Sequence, residues 1–316
     1  MSITAEIIAD SVGPNRIRLT TMELRYPRFI HAELMTHRKF GRCASSSRAT
    51  PIRRLMAAVY ADPALPIHWG ANQAGMQARA ELQGLRAWLA QSLYAAARLP
   101  MLAIVWVLSR LGLHKQVANR LLEPWSHITV LVTSTDWDNF WALRVHPDAQ
   151  PEMFALATIM LYRYRQSVPR ELKVGEWHLP YVSAPGGKCR GEEYGMRLRG
   201  TAPEQVSAAR CARVSYLTHD RQSPEELDDL VLFKKLAGGK PIHASPLEHQ
   251  ARAIGARTKT HYQSGNLRGW VQHRKLVAGE AAPDDAGYPE SVHASPGDGT
   301  TFYGHDVTPT APGPLK

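Results

Sequence analysis

Apolar and polar positions change rhythm several times along the 316 residues, and each change predicts an element. Over residues 17–30, Leu, Thr, Met and Tyr mix with few helix signals, which predicts a strand running through Pro27 into a helix at about residues 29–36. From 78 to 99 the leucines Leu82, Leu85, Leu89 and Leu93 recur at helical spacing, giving an amphipathic helix that Pro100 ends or kinks. A second helix is expected over 101–122, and both helices are expected to be buried, around Leu89 and Val105. The run ITVLVT at 128–133 is short and β-branched and reads as a strand. Helices should follow at 136–144 and from Pro151, which suits a first helical turn, through Met153, Leu156, Met160 and Tyr164. Residues 183–200, rich in Gly and charge, read as a loop or link. Two more helices are expected at 204–214 and 223–237, the latter with Ser223 as cap and acidic residues in its first turn. Residues 279–316 are dense in Pro, Gly, Asp, Ser and Thr, cannot build a core, and are expected to form a mobile tail after a single domain over 1–278. No internal repeat is evident, and the expected fold class is α+β, with a central antiparallel or mixed sheet flanked by helices.

The apolar fraction, 44%, suffices for a sizeable core. The formal charge of +10 favours an anionic partner, whether nucleic acid, acidic membrane or phosphorylated small molecule, without choosing among them. Cys43, Cys189 and Cys211 are odd in number and unpaired in spacing, so neither a disulfide framework nor a thiolate zinc site is expected, and a reducing cytoplasm fits best. The first residues show no basic segment followed by an apolar stretch, so no signal peptide is expected. The apolar run 99–108 contains Pro100 and is shorter than the roughly 20 residues of a membrane helix, so no membrane partner is expected.

Candidate chemistry concentrates in Thr36-His37-Arg38-Lys39-Phe40-Gly41-Arg42-Cys43-Ala44-Ser45-Ser46-Ser47-Arg48. Cations and three consecutive hydroxyls beside a predicted helix end make a cradle for phosphate, because Arg offers a bidentate fork and Ser short hydrogen bonds. A solvated basic loop has the same composition. Cys43 lies among arginines, which lower a thiol pKa, so it is a candidate nucleophile as well as a candidate space-filler, and the space-filler is preferred because no base is evident beside it.

This cluster resembles the signature of flavin-dependent thymidylate synthases: Arg-His-Arg, seven residues, Ser, one residue, Arg. His37 and Arg38 match its second and third positions, Ser46 its serine and Arg48 its last arginine; Thr36 replaces the first Arg, and Cys43-Ala44 stand where the family usually has Asn-Glu. Asn119-Arg120-Leu121-Leu122-Glu123-Pro124 and Trp137-Asp138-Asn139-Phe140-Trp141-Ala142-Leu143-Arg144 are similar to the helix, strand and helix that complete the family's nucleotide site. A third match is out of order. Arg210-Cys211-Ala212-Arg213-Val214-Ser215 and His243-Ala244-Ser245-Pro246-Leu247-Glu248-His249 resemble segments that the family carries before its Arg-His-Arg signature, as if this chain were circularly permuted.

The resemblance implies a fold like that of the thymidylate synthase-complementing proteins, with 17–50 as nucleotide and flavin motif, 78–170 as helical part and 204–278 as permuted flavin segment. It implies that His37, Arg38, Asn139, Ser215, His243, Ser245 and Glu248 contact FAD, and that Ser46, Arg48, Arg120 and Arg144 hold the nucleotide. Arg144 would polarise the pyrimidine while Ser46 positions it. The implied reaction moves a one-carbon unit from methylenetetrahydrofolate to the 5-position of dUMP, with NADPH reducing the FAD. Homotetramers with sites at subunit interfaces and a cytoplasmic location, that of the host if the protein is viral, belong to the same expectation. The changed Cys43-Ala44 pair leaves dCMP, or a hydroxymethyl product, as the near alternative. A nucleic-acid-binding protein using the basic loop, Gly186, Gly187, Tyr162, Tyr164 and Trp177 is the alternative from another class, though nucleic acid is not the expected partner. No metal is expected: Pro246 breaks a regular helix between His243 and His249, and no third ligand is evident.

Overall fold

The computed structural model describes residues 3–182, 202–214, 226–239, 242–256, 262–280, 301–302 and 305–306. The chain divides into Met1–Ala278 and Gly279–Lys316. In the second unit, strands Thr301–Phe302 and His305–Asp306 pair antiparallel.

The first unit is built on a five-stranded mixed sheet. Its strands are β1 (Thr4–Val12), β2 (Arg18–Pro27), β3 (Gly41–Ala44), β4 (His127–Ser134) and β5 (Arg170–Glu171), in the order β3-β4-β2-β1-β5. All neighbours are antiparallel except β1 and β5. β1 has no counterpart among the predicted elements, because Ile7 and Ile8 are adjacent and its apolar positions do not alternate; a register shift falls between Ile7 and Ala9. β2 and β4 do alternate, and that alternation decides which face is apolar. Met22, Leu24 and Tyr26 of β2 join Ile128, Val130 and Val132 of β4 on one face, packed against α6 (Asp138–Arg144) and α7 (Pro151–Gln166) through Phe140, Met153, Leu156 and Met160.

The opposite face carries Thr21 and Thr133, paired in register and bonded at 2.6 Å. It is covered by later parts of the chain: α8 (Pro203–Ala212), with α9 (Glu226–Ala237) packed on it, a 3₁₀ turn at Ser245–Glu248, and a small antiparallel sheet of β6 (Trp177–His178), β7 (Ala251–Ala253) and β8 (Trp270–Gln272). A buried hydrogen-bonded chain ties this cover to the sheet. Ser11 Oγ lies 2.9 Å from His178 Nδ1, His178 Nε2 2.8 Å from Thr21 Oγ1, and Thr133 Oγ1 2.8 Å from His249 Nδ1.

Burial pushes His178 and His249 down to about 3 and His273 to about 4, so all three fold as neutral rings. Their ordinary value is about 6.5, so as pH falls below about 6.5 the unfolded chain takes up protons that the folded chain refuses. Stability contributed by their neutral burial is therefore complete above about 6.5 and is lost progressively down to about 3. Thermal melts should be flat near neutrality and fall steeply between pH 6 and 4; replacing His178 and His249 with Gln should flatten that fall, and an unchanged slope would refute this account.

A second core joins α2 (Ile52–Ala61), α4 (Arg98–Arg110) and α5 (Lys115–Ala118) through Leu55, Val59, Leu102, Val105, Ala118 and Leu122. The helix expected over 101–122 is thus broken. α4 ends before Gly112, whose φ of +85° suits glycine, and a 3₁₀ segment at Asn119–Trp125 follows α5. The preceding helix, α3 (Gly84–Ala96), begins later than expected and has no buried residue. Leu82 lies outside it, while Leu85, Trp88, Leu89 and Leu93 are exposed. At 100° per residue these side chains share one side with Leu99, Ile104, Trp106 and Val107 of α4, with the buried Val105 opposite and the buried Leu102 at the edge of the stripe. The expected burial therefore holds at Val105 and fails at Leu89: periodicity shows which residues share a face, not what covers it. The apolar stretch is also longer than 99–108, since α3 and α4 meet at Ala97; within the 27 residues Gly84–Arg110 an 18-residue window reaches a mean hydropathy of 1.5, long and apolar enough to cross a membrane by length and composition.

Candidate functional site

The short helix α1 (His31–Met35) closes with Thr36 Oγ1 donating to Glu33 O at 2.7 Å, and His37 follows with its N–H on Leu34 O. His37 is walled by aromatic rings, with Phe40 5.7 Å and Phe140 4.9 Å away between centroids. Phe140 belongs to α6, so the same packing brings the last residue of that helix, Arg144, over His37. Arg144 Nε donates to His37 Nε2 at 3.0 Å, Nη1 to Glu33 Oε2 at 3.0 Å and Nη2 to Thr36 Oγ1 at 3.4 Å. Burial first, then Arg144 and Arg42, hold His37 down to about 4, so the ring is neutral and its Nε2 accepts. Guanidinium has five N–H donors; three are engaged here and two remain for a ligand.

A second group forms around Ser46, Arg48 and Arg120. Asn119 Nδ2 donates to Ser47 O at 2.7 Å and Thr50 O at 2.9 Å, Lys115 Nζ to Ala49 O at 3.0 Å, and Ser47 Oγ to Glu123 Oε1 at 2.5 Å. These bonds stitch the serine loop to the segment bearing Arg120. Arg48 and Arg120 are exposed and have no carboxylate partner among the described residues. Arg28 was missed from sequence. It sits just past β2, with Nε on Ser126 Oγ at 3.2 Å and Nη2 on Ser45 O at 3.4 Å. Burial lowers its pKa, with Glu123 raising it and Arg120 adding to the lowering, so it is a partly desolvated cation that an anion would stabilise. The only signal for it was a basic residue after Pro27 at a strand end.

The late segment lies against the early cluster. The Ser245–Glu248 turn packs on β3 so closely that a Cβ on Gly41 would meet Glu248 O at 3.2 Å and Glu248 Cβ at 3.3 Å. Asn266 Nδ2 donates to Lys39 O at 3.3 Å. Ser245 hydrogen-bonds the Cys43 thiol, and Glu248 Oε1 receives Arg274 Nη1 at 2.6 Å. Other predicted contacts are not drawn in. Arg38, Asn139 and His243 are exposed, and neither Arg38 nor Asn139 bonds to the groups above among the described residues. Ser215, Gly186 and Gly187 lie outside the described residues.

Cys43 is buried, and burial pushes its thiol up to about 11. The preferred space-filling reading holds: Arg42 and Cys43 are consecutive in β3 and point to opposite faces, with Arg42 Nη1 on Met35 O at 2.6 Å. Cys43 fills space between Leu131, Cys211 and Val214. Cys43→Ser should keep substantial turnover; complete loss in a folded variant would restore the covalent alternative. Of the aromatics named for base stacking, Tyr164 lies under the Arg18 guanidinium at 3.8 Å and Trp177 meets His273 edge-on, while Tyr162 is exposed.

Among the described residues, no three His, Cys, Asp or Glu side chains are grouped to hold a metal ion. A cavity of about 630 Å³ is lined by Ile3, Arg25, Pro27, Asp62, Leu65 and His127 among others, so that its wall adjoins Arg28 and Ser126 along the chain. The Arg144 and Arg28 groups are surface assemblies and not the walls of this cavity.

No protein-family model matches the chain, and no curated protein does. Among solved structures, the UMP/dUMP methylase PolB from Streptomyces cacaoi bound with 5-Br UMP overlaps 52% of this chain and 89% of its own, at 17% identity and a TM-score of 0.40. The same methylase bound with 5-Br dUMP overlaps 52% and 87%, at 14% identity and a TM-score of 0.37. Likeness at this level carries no functional argument, so function is read from the residues and their geometry.

Proposed function

We propose that this chain is a nucleotide C5-methyltransferase of the flavin-dependent thymidylate synthase kind, acting on dUMP. The observation that carries the reading is the convergence of three distant motif segments. Arg144 closes on His37, the serine loop is laced to the Arg120 segment, and Ser245–Glu248 lies on β3. A circular permutation of the family order accounts for that third contact, since it restores a neighbour that sequence order alone separates.

The donor set suits its ligands. Arg48, Arg120 and the partly desolvated Arg28 would take the 5′-phosphate, with Ser46 positioning it. For FAD, the exposed cations Arg38 and Lys39 lie where Asn266 joins the late segment to the early one, a placement suited to a diphosphate; His37, Ser245 and Glu248 lie on the elements that would face the ring, with Asn139, Ser215 and His243 assigned by resemblance. When bound, reduced flavin supplies the hydride that turns the transferred carbon, donated by methylenetetrahydrofolate, into a methyl group, and NADPH is the proposed reductant. The chain's own part is to orient the pyrimidine and to stabilise charge on its carbonyl oxygen through Arg144, the kind of contact worth roughly 3 to 4 kcal/mol per well-placed donor. We assign the exposed apolar stripe of α3 and α4 to contacts between subunits of a homotetramer, which would cover Leu85, Leu89 and Leu93. A cytoplasmic location accompanies this reading.

The test is direct. Purified protein incubated with FAD should acquire flavin absorbance and, with dUMP, labelled methylenetetrahydrofolate and NADPH, should release labelled dTMP. Colourless protein without turnover, or labelled product from dCMP alone, would overturn the assignment.

A further inference from the structure

The Arg144 group contains a carboxylate that no motif assigned. Glu33 points from α1 to the Arg144 guanidinium, giving it one oxygen, Oε2, at 3.0 Å. Its other oxygen, Oε1, has no partner among the described residues, and the side chain is 34% exposed where that of Arg144 is 19% exposed. The pair therefore presents two free N–H donors beside one free acceptor oxygen, with the buried His37 and the exposed Thr36 fixing the guanidinium.

That arrangement is complementary to a carbonyl oxygen next to an N–H on one planar edge. We propose that Glu33 reads the N3–H of the pyrimidine while Arg144 donates to O4, so that Glu33 is the residue selecting uracil over cytosine. The inference rests on the dUMP-site reading above. In cytosine the 4-position carries an amino group and N3 a bare lone pair, so Arg144 would face donors and Glu33 would face an acceptor. Both contacts become repulsive. A site built around a hydrogen bond rejects the analogue lacking it far more strongly than an apolar pocket rejects a changed methylene. The Arg144–Glu33 bond adds a geometric reason: at 3.0 Å it holds a guanidinium donor and a carboxylate acceptor side by side, as an adjacent carbonyl and N–H require.

The experiment compares dUMP, dCMP and N3-methyl-dUMP by calorimetry on the full chain, as wild type, E33Q and E33A. Wild type should bind dUMP at least about tenfold more tightly than either analogue, the scale of one unmatched hydrogen bond. E33A should bind dUMP and N3-methyl-dUMP within about twofold of each other, because the acceptor of N3–H is gone. E33Q keeps a carbonyl acceptor and should retain part of the preference, which a purely structural role for Glu33 would not produce. If wild type binds dUMP but discriminates equally with and without the Glu33 side chain, the assignment to N3–H is wrong while the dUMP site stands. If wild type binds no dUMP with FAD present, both fall.

Discussion

Arg144→Ala is expected to lower the rate constant for dUMP methylation by about 10²–10³-fold, while bound flavin is retained. The expectation follows from where charge develops. For C5 to attack the electrophilic one-carbon unit the ring must first carry enolate-like charge on its 4-oxygen, and Arg144 is the cation with two donors left over from its bonds to His37, Glu33 and Thr36. Stability and rate separate the two roles this residue could have. The Glu33 partner is 34% exposed, so the ion pair is solvent-screened and contributes at most about 1 kcal/mol to folding. A melting point near that of wild type with turnover reduced a hundredfold is the expected pattern. Arg144→Lys should be nearly as impaired, because the bond to His37 leaves from Nε, an atom lysine lacks in that geometry. Unchanged turnover in Arg144→Ala removes ring activation from this residue.

Asp229→Ala should have the largest effect on stability. Asp229 is fully buried in α9 and accepts from Arg210 Nε at 2.8 Å and from Arg213 Nε at 3.0 Å, both on or next to α8. Arg210 is 5% exposed and also donates to Tyr181 O at 2.9 Å. Deleting one member of a buried ion pair leaves the other charge uncompensated, at a cost of about 3–5 kcal/mol. Here two guanidiniums lose their only carboxylate among the described residues. For a domain of this size the melting point should drop on the order of 10 °C. Arg213→Ala, which preserves the Arg210–Asp229 bond, should cost clearly less. Flavin binding should weaken with Asp229→Ala, because α8 carries Ser207, on which Gln250 Nε2 rests at 3.2 Å beside the Ser245–Glu248 turn. A melt unaffected by Asp229→Ala would show that this buried cluster does not hold α8 to α9.

Legibility differed by the kind of information each residue carried. β4, the α+β class and the helices from 138, 151 and 203 followed from local pattern: β-branched alternation, a proline at a first turn, small apolar runs. β1 was illegible because a strand with adjacent isoleucines and a register shift does not alternate cleanly. Glu33 and Arg28 were invisible for a different reason. A glutamate in a five-residue helix and an arginine after a strand look like ordinary surface charge until packing gives each a neighbour. Cys43 was read correctly as a space-filler because no base stands beside it in sequence, and the strand adds the reason that Arg42 next to it points to the other face.

The sequence alone determined the local periods and the chemical inventory: that 128–133 is a strand, that 151–164 is a helix, and where hydroxyls and guanidiniums are concentrated. Those properties depend on side-chain type and on backbone geometry of a few residues, so they are written locally. Tertiary structure alone decided which groups face one another. It set Arg144 on His37 and Glu33, buried Asp229 between two arginines, raised the Cys43 thiol, and left the α3 stripe outward. Burial and pairing depend on distances between residues 16 to more than a hundred positions apart, and no short-range pattern encodes them.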